Sequence, residues 1–80
     1  MKNIEVEYYA ILREERGCKQ ENTTTLSTTP RELYLELQKK YGFTLSIENV
    51  KPAINDDFVD WDYLLQVNDK VVFIPPVTGG

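Results

Sequence analysis

Thr29-Pro30-Arg31-Glu32-Leu33-Tyr34-Leu35-Glu36-Leu37-Gln38-Lys39-Lys40-Tyr41-Gly42 carries the clearest local signals in the chain, and the other elements arrange themselves around it. Thr29-Pro30-Arg31-Glu32 reads as a capping box. Thr29 stands at the N-cap, Pro30 suits the first helical position because its missing N–H has no intrahelical partner there, and Glu32 sits at N3. Leu33, Leu37 and Tyr41 then recur at helical spacing, with Tyr34 and Leu35 alongside, and Gly42 stands where a helix ends in left-handed backbone. The pattern predicts a helix over 30–41.

On the amino-terminal side, residues 2–10 alternate. Ile4, Val6 and Tyr8 share one parity and Glu5, Glu7 and Tyr9 the other, the mark of a half-buried strand. Residues 10–16 suit a short helical turn that Gly17 ends. The segment 19–26 is rich in threonine and polar on both faces, which predicts the second strand of an antiparallel hairpin near a sheet edge. On the carboxy-terminal side, 51–55 reads as a short strand, and Asn55-Asp56-Asp57 as a turn into Phe58-Val59. Val67-Asn68-Asp69-Lys70 is another turn, and 71–74 a final strand that Pro75-Pro76 stops by removing its ladder donors. Strand, strand, helix and short strands make an α+β fold, one helix packed across a mixed sheet. The first and last strands, both strongly apolar, are expected to be parallel neighbours at its centre. Residues 1–76 form the domain and 77–80 an extended tail.

Composition narrows the function. Eighty residues make one domain, and a chain of this length buries only about 60–65 % of its unfolded surface, leaving little room for a deep pocket. A hydrophobic content of 41 % and a charged content of 28 % are those of a soluble globular domain. No apolar run approaches a membrane span, and Met1-Lys2-Asn3-Ile4-Glu5 lacks the apolar core of a signal peptide, so a cytoplasmic protein without membrane association is expected. A net charge of −4 argues against nucleic acid and suits a basic protein partner. The chain has no histidine and a single cysteine, Cys18. A histidine-based catalytic pair, a histidine-ligated zinc, an internal disulfide and a CxxC motif are thereby excluded. Cys18 reads as a partly exposed thiol with no role. Asp56, Asp57, Asp60 and Asp62 lack the glycine and later glutamate of a calcium loop and read as a solvated loop, with Trp61 among them covering the core edge. Asn22-Thr23-Thr24 fits a glycosylation sequon that means nothing without secretion. Tyr34 and Tyr41 read as core or rim packing. No metal site is expected.

The last four residues are Val77-Thr78-Gly79-Gly80. Glycine at both final positions removes every side chain beyond Thr78, so the backbone can enter a slot too narrow for a Cβ. Four extended residues reach about 13 Å, and Pro75-Pro76 stiffens their base. A terminal Gly-Gly alone is commonplace; its attachment to a Pro-Pro that directly ends a core strand points to function.

Val72-Phe73-Ile74-Pro75-Pro76-Val77-Thr78-Gly79-Gly80 resembles the carboxy-terminal signature of the MoaD family, the small subunits of molybdopterin synthase. Tyr8-Tyr9-Ala10 with Arg13-Glu14 resembles that family's aromatic-aromatic-Ala opening, and Ala53-Ile54-Asn55 and Asp69-Lys70-Val71 fall where the family has a strand end and a turn. Asn68 in place of glycine and Lys70 in place of an acidic residue depart from it, and Asn68 is expected to tolerate left-handed backbone. The resemblance covers the whole chain. It implies a ubiquitin-like β-grasp and a sulfur carrier of molybdenum cofactor biosynthesis. By the same resemblance an E1-like, MoeB-like enzyme using ATP and Mg²⁺ would adenylate the Gly80 carboxylate. A persulfide donor would turn it into a thiocarboxylate, and a MoaE-like large subunit would pass that sulfur to cyclic pyranopterin monophosphate in a heterotetramer. The chain itself would bind no cofactor and be the non-catalytic, sulfur-donating subunit.

Gly80 is thus the expected modified residue and Gly79 the one that gives it clearance. Strand parity leaves Val72 and Ile74 on the outer face beside the tail. By resemblance Tyr9, Arg13, Phe58 and Ile74 meet partners, with Pro75, Pro76, Val77 and Thr78 leading into them; packing under the helix or a loop is the plainer alternative, evenly matched for Phe58. A carrier for thiamine or another pathway, a ubiquitin-like modifier of lysines and an interaction module with an inert tail are the competing readings.

Overall fold

The alternation near the amino terminus becomes a strand with one buried face. The computed structural model describes residues 1–76. Its first strand, β1 (Lys2–Tyr8), buries Ile4, Val6 and Tyr8 and leaves Glu5 and Glu7 partly exposed. A short helix, α1 (Ile11–Arg16), ends at Gly17 in left-handed backbone and leads into β2 (Gln20–Thr25), antiparallel to β1. The main helix, α2 (Pro30–Tyr41), runs the length its pattern predicts. A 3₁₀ turn (Ile47–Asn49) then precedes β3 (Lys51–Ile54), β4 (Asp57–Phe58) and β5 (Lys70–Ile74).

The sheet order is β2-β1-β5-β3-β4. β5 therefore lies in the middle, parallel to β1 and antiparallel to β3. The parallel central pair expected from the two most apolar strands is present, and β2 takes the edge. No helix among the described residues is long and apolar enough to cross a membrane.

Four local details differ from the sequence expectation. At the α2 cap, Thr29 Oγ1 accepts the Glu32 amide at 3.2 Å, but Glu32 Oε1 reaches one residue further back, to the Thr28 amide at 2.7 Å. Leu35 points off the buried stripe and is exposed, because the apolar face is carried by Leu33, Tyr34 and Leu37. Asn55 does not extend β3. It and Asp56 take positive φ, 51° and 76°, the two-residue turn that joins a tight hairpin. Thr25, read as polar surface, is buried because its hydroxyl donates to Glu36 Oε1 at 2.7 Å.

Tyr34 is the hub between helix and sheet. Its ring stands 5.2 Å from Phe73 in an edge-to-face contact, 5.9 Å from Phe43 and 6.0 Å from Trp61, and its hydroxyl donates to the Leu45 carbonyl at 2.7 Å. Ile4, Val6, Tyr8, Val71 and Phe73 face it from the sheet. Each such buried side chain contributes about 1.5–3 kcal/mol. Trp61 covers the core edge as expected, stacked on Phe73. Tyr41 packs at the rim and Cys18 lies half-buried against the core.

Two polar clusters tie segments distant in sequence. In one, Arg16 donates twice to Glu21, at 2.9 and 2.7 Å, the Tyr8 hydroxyl donates to Glu21 at 2.6 Å, and the Arg16 guanidinium lies 4.0 Å over the Tyr41 ring. The Arg16 hydrogen bonds, helped by Tyr8 and opposed by burial, hold the Glu21 carboxyl below the usual carboxylate range. A carboxyl depressed in the folded state stabilises the fold fully above its unfolded pKa of about 4.3, and that contribution fades as pH falls through the lower folded value. Glu21→Gln is expected to cost about 1–2 kcal/mol at neutral pH. In urea unfolding, its gap from the unsubstituted protein should narrow once the pH is taken below the folded pKa.

The second cluster joins the two turns at one end of the sheet. Asp69, buried, accepts the Asn55 side-chain amide at 3.1 Å and the Gln66 backbone amide at 2.8 Å, and Asn55 Oδ1 accepts the Lys70 amide at 3.0 Å. Asn68, just before it, has φ 69°, the left-handed backbone expected there. Asp69→Ala strands two donors and is expected to lower stability by about 2–3 kcal/mol. Asp69→Asn, which keeps an acceptor, should lose less in the same urea titration.

Candidate functional site

The site is built where the central strand runs out. Ile74, half-buried, ends β5, and Pro75 and Pro76 continue past the sheet with no ladder bond to donate. Two grooves meet at this pair of prolines. On one side a groove of about 430 Å³ is lined by Lys51, Phe58 and Ile74 among others; on the other, one of about 290 Å³ is lined by Ala10, Ile11 and Leu45. Pro75 and Pro76 line both, so a chain leaving Pro76 starts from a ridge between two mostly apolar depressions.

The register explains which side chains reach this face. Glu7, Val72, Ala53 and Phe58 are opposite one another in neighbouring strands and so share the face turned away from α2, with Ile74 and Lys51 in a further row. Phe58 is 67 % exposed, which resolves its even alternatives in favour of surface. Tyr9, immediately past β1, is exposed, as is Arg13 on α1. Val72 corrects the parity argument. It does face outward, but it is only 5 % exposed because it sits mid-sheet in the same row as the longer Glu7 and Phe58. Ile74, Phe58 and Tyr9 carry the accessible apolar surface, not Val72.

Ala10 is the residue that sequence reasoning passed over. Its φ of 52° and ψ of −126° place it in backbone that glycine prefers, and the Leu12 amide closes the turn on the Tyr9 carbonyl at 3.1 Å. Such a conformation costs on the order of 1–3 kcal/mol and persists only where surrounding packing holds it. Here it turns the chain from β1 into α1, so that Ile11 borders the groove beside Pro75 while Leu12 enters the core. The Tyr8-Tyr9-Ala10 run was legible as a motif; the strained turn within it was not.

The electrostatics of the face are mild. Lys70 lies 3.6 Å from Asp56, which holds its ammonium above the usual range. The Glu7 carboxylate beside Tyr9 does the same for the Tyr9 phenol. Asp62 pairs with Arg31 at 3.3 Å, and no group of three metal-ligating side chains gathers among the described residues. Val77, Thr78, Gly79 and Gly80 lie outside the described residues.

A model of the ThiS family matches residues 6–80, from the first strand through the final glycine. The chain belongs to the ThiS family. Its five-stranded mixed sheet and crossing helix are the family's ubiquitin-like β-grasp, shared with sulfur carriers and small protein modifiers. Among solved structures, a Pyrococcus furiosus protein assigned as molybdopterin converting factor subunit 1 is 26 % identical, with TM-score 0.77, covering 96 % of this ThiS-family chain and 100 % of that one. The complex of subunits 1 and 2 of molybdopterin-converting factor from Helicobacter pylori contains a chain 25 % identical, with TM-score 0.69, covering 98 % and 99 %. Small archaeal modifier protein 1 from Methanosarcina acetivorans, at 23 % identity and TM-score 0.79 over 100 % and 98 %, shares the fold. No curated protein matches this ThiS-family chain.

Proposed function

We propose that this chain is a cytoplasmic sulfur carrier of molybdenum cofactor biosynthesis, the small subunit of a molybdopterin synthase, with Gly80 as the residue that carries sulfur. One observation supports this reading above the others. The central strand ends in Pro75-Pro76 on an exposed ridge between two grooves, and the family match extends past it to Gly80. The likeness to two molybdopterin converting factor subunits favours this pathway over thiamine biosynthesis.

The chemistry asks little of the carrier. The Gly80 carboxylate attacks the α-phosphorus of ATP on an E1-like enzyme, pyrophosphate leaves, and an acyl adenylate forms. A persulfide sulfur attacks the acyl carbon, AMP leaves, and a thiol cleaves the remaining S–S bond to release the thiocarboxylate. The tail then enters a large subunit, where sulfur passes to cyclic pyranopterin monophosphate. This scheme uses no acid, base or metal of the carrier's own, in keeping with a chain without histidine.

The test is an intact mass after incubation with an E1-like enzyme, ATP–Mg²⁺ and a persulfide donor. A gain equal to exchanging one oxygen for sulfur, located at Gly80, is expected, followed by its loss when large subunit and pyranopterin substrate are added. No change in mass with an activating enzyme that demonstrably works on this chain removes the carrier reading. Docking has its own check: Ile74→Asp places a charge on the accessible apolar face and should weaken association with the large subunit by about tenfold or more. Calorimetry measures that loss, and a thermal midpoint close to the unsubstituted protein shows that the fold is intact.

A further inference from the structure

The sheet's two edges end differently. β4 is two residues long and too short to template another chain, whereas β2 offers six residues with no proline, lysine or bulge to blunt them. The ladder shows which of its backbone groups are free. The Tyr8 amide donates to the Lys19 carbonyl at 2.8 Å, while the Glu5 amide turns the other way, to the Asp69 carbonyl at 2.9 Å. Alternation in an antiparallel pair then sends the backbone groups of Glu21, Thr23 and Thr25 toward β1, and those of Gln20, Asn22 and Thr24 outward. No described strand pairs with that outward row.

Next to this edge lies a groove of about 420 Å³ between the end of β2 and α2. Met1 and Leu26 line it, 86 % and 73 % exposed, and so do Glu32 and Glu36. Glu36 Oε1 accepts the hydroxyls of Thr25 and Ser27, and Glu32 Oε1 accepts from Thr28, which fixes both carboxylates in place. Neither forms an ion pair among the described residues. Lys2 donates its amine to the Ser27 carbonyl at 3.1 Å instead.

We propose that the β2 edge and this acidic groove together take an extended segment of a partner protein, added as a further strand, with basic side chains at alternate positions on the α2 side. The outward amides and carbonyls of Gln20, Asn22 and Thr24 supply the main-chain bonds, the Thr24 carbonyl having a lone pair left beyond its long 3.5 Å contact from the Thr23 hydroxyl, and Glu32 and Glu36 select the charge. A second copy of this chain is the poorer occupant, because it brings the same carboxylates and a net charge of −4 to the interface. β1 and β5 run parallel, so Thr25 and Leu26 lie at the end of the sheet opposite Ile74 and Pro75. An occupant here leaves the tail root free, and the protein can hold one partner on its edge while another engages the tail. The proposal rests on the β2 edge and the groove beside it, and stands whether or not the chain carries sulfur.

The probe is an acetylated, amidated hexapeptide of alternating lysine and valine, titrated into the ¹⁵N-labelled full chain at low salt. Expected are amide shifts confined to β2, Leu26 and the start of α2, with slowed exchange at Gln20, Asn22 and Thr24. The double variant Glu32→Gln, Glu36→Gln keeps the acceptors for Thr25, Ser27 and Thr28 and should weaken binding about fivefold. Asn22→Pro, which removes an outward N–H and leaves the β1 ladder bonded, should abolish it. Equal binding of a glutamate–valine hexapeptide, no shifts at millimolar peptide, or shifts at the tail root instead of β2 overturns the proposal. So does sedimentation showing a dimer that Asn22→Pro dissolves, which would make a second copy the occupant.

Discussion

Gly79→Val is expected to leave the protein folded and to reduce sulfur delivery to the pyranopterin at least about 100-fold, the scale of effect when a reacting group is displaced by about an ångström. The reason is the missing Cβ. On the proposed function the Gly80 carboxylate is adenylated on one enzyme and spent on another, so the residue next to it would have to fit two closed sites. Glycine presents only backbone, whereas valine adds a branched carbon next to the reacting residue. Among the described residues the buried core reaches no further than Phe73, so the urea midpoint should match that of the unsubstituted protein. The measurement is product formed in a single turnover by preformed thiocarboxylate with large subunit, alongside thiocarboxylate formation by intact mass. Gly79→Ala should fall between the two. Full activity of Gly79→Val would show that the tail does not enter a narrow partner site.

Phe73→Ala carries the largest expected effect on the fold. Phe73 is fully buried on the central strand, edge-on to Tyr34 at 5.2 Å and stacked on Trp61 at 6.2 Å. Truncating such a ring costs about 3–5 kcal/mol. A domain of this size has only about 4–12 kcal/mol in total, so the variant should sit near the edge of folding. Trp61 is the single tryptophan, and its fluorescence reports both the loss of stacking and the unfolding transition in urea. Phe73→Leu should cost about 1–2 kcal/mol. Because Phe73 immediately precedes Ile74 and Pro75, the alanine variant should also loosen the ridge from which the tail departs. Its association with the large subunit should then fall even under conditions where most molecules are folded.

Pressed closely, the sequence is most informative where the signal is short-ranged. The bounds of α2 follow from Thr29, Pro30 and Gly42, which act on backbone within one turn. The burial of Ile4, Val6 and Tyr8 follows from the two-residue period of a strand, and the role of Pro75-Pro76 from the donors that proline lacks. The capping box was nearly right: Thr29 bonds the Glu32 amide, but the long glutamate side chain found the Thr28 amide just as easily. Parity also failed by a little at Val72, because it assigns a face and is silent about the height of the neighbours in the row.

By itself, then, the sequence determined the helix, the strand faces, the α+β order and the prolines that end the last strand, all consequences of preferences that a residue exerts on its own backbone or on residues within a turn. Only the tertiary structure decided that Asn55 and Asp69 share a hydrogen bond across 14 positions, that Arg16, Glu21, Tyr8 and Tyr41 meet, and that Pro75 and Pro76 divide two grooves. It also decided that β2 keeps a free edge beside Glu32 and Glu36. Each of these depends on sheet order and register, which arise when distant segments satisfy their backbone bonds and bury their apolar faces together, and no local pattern in either segment specifies the partner.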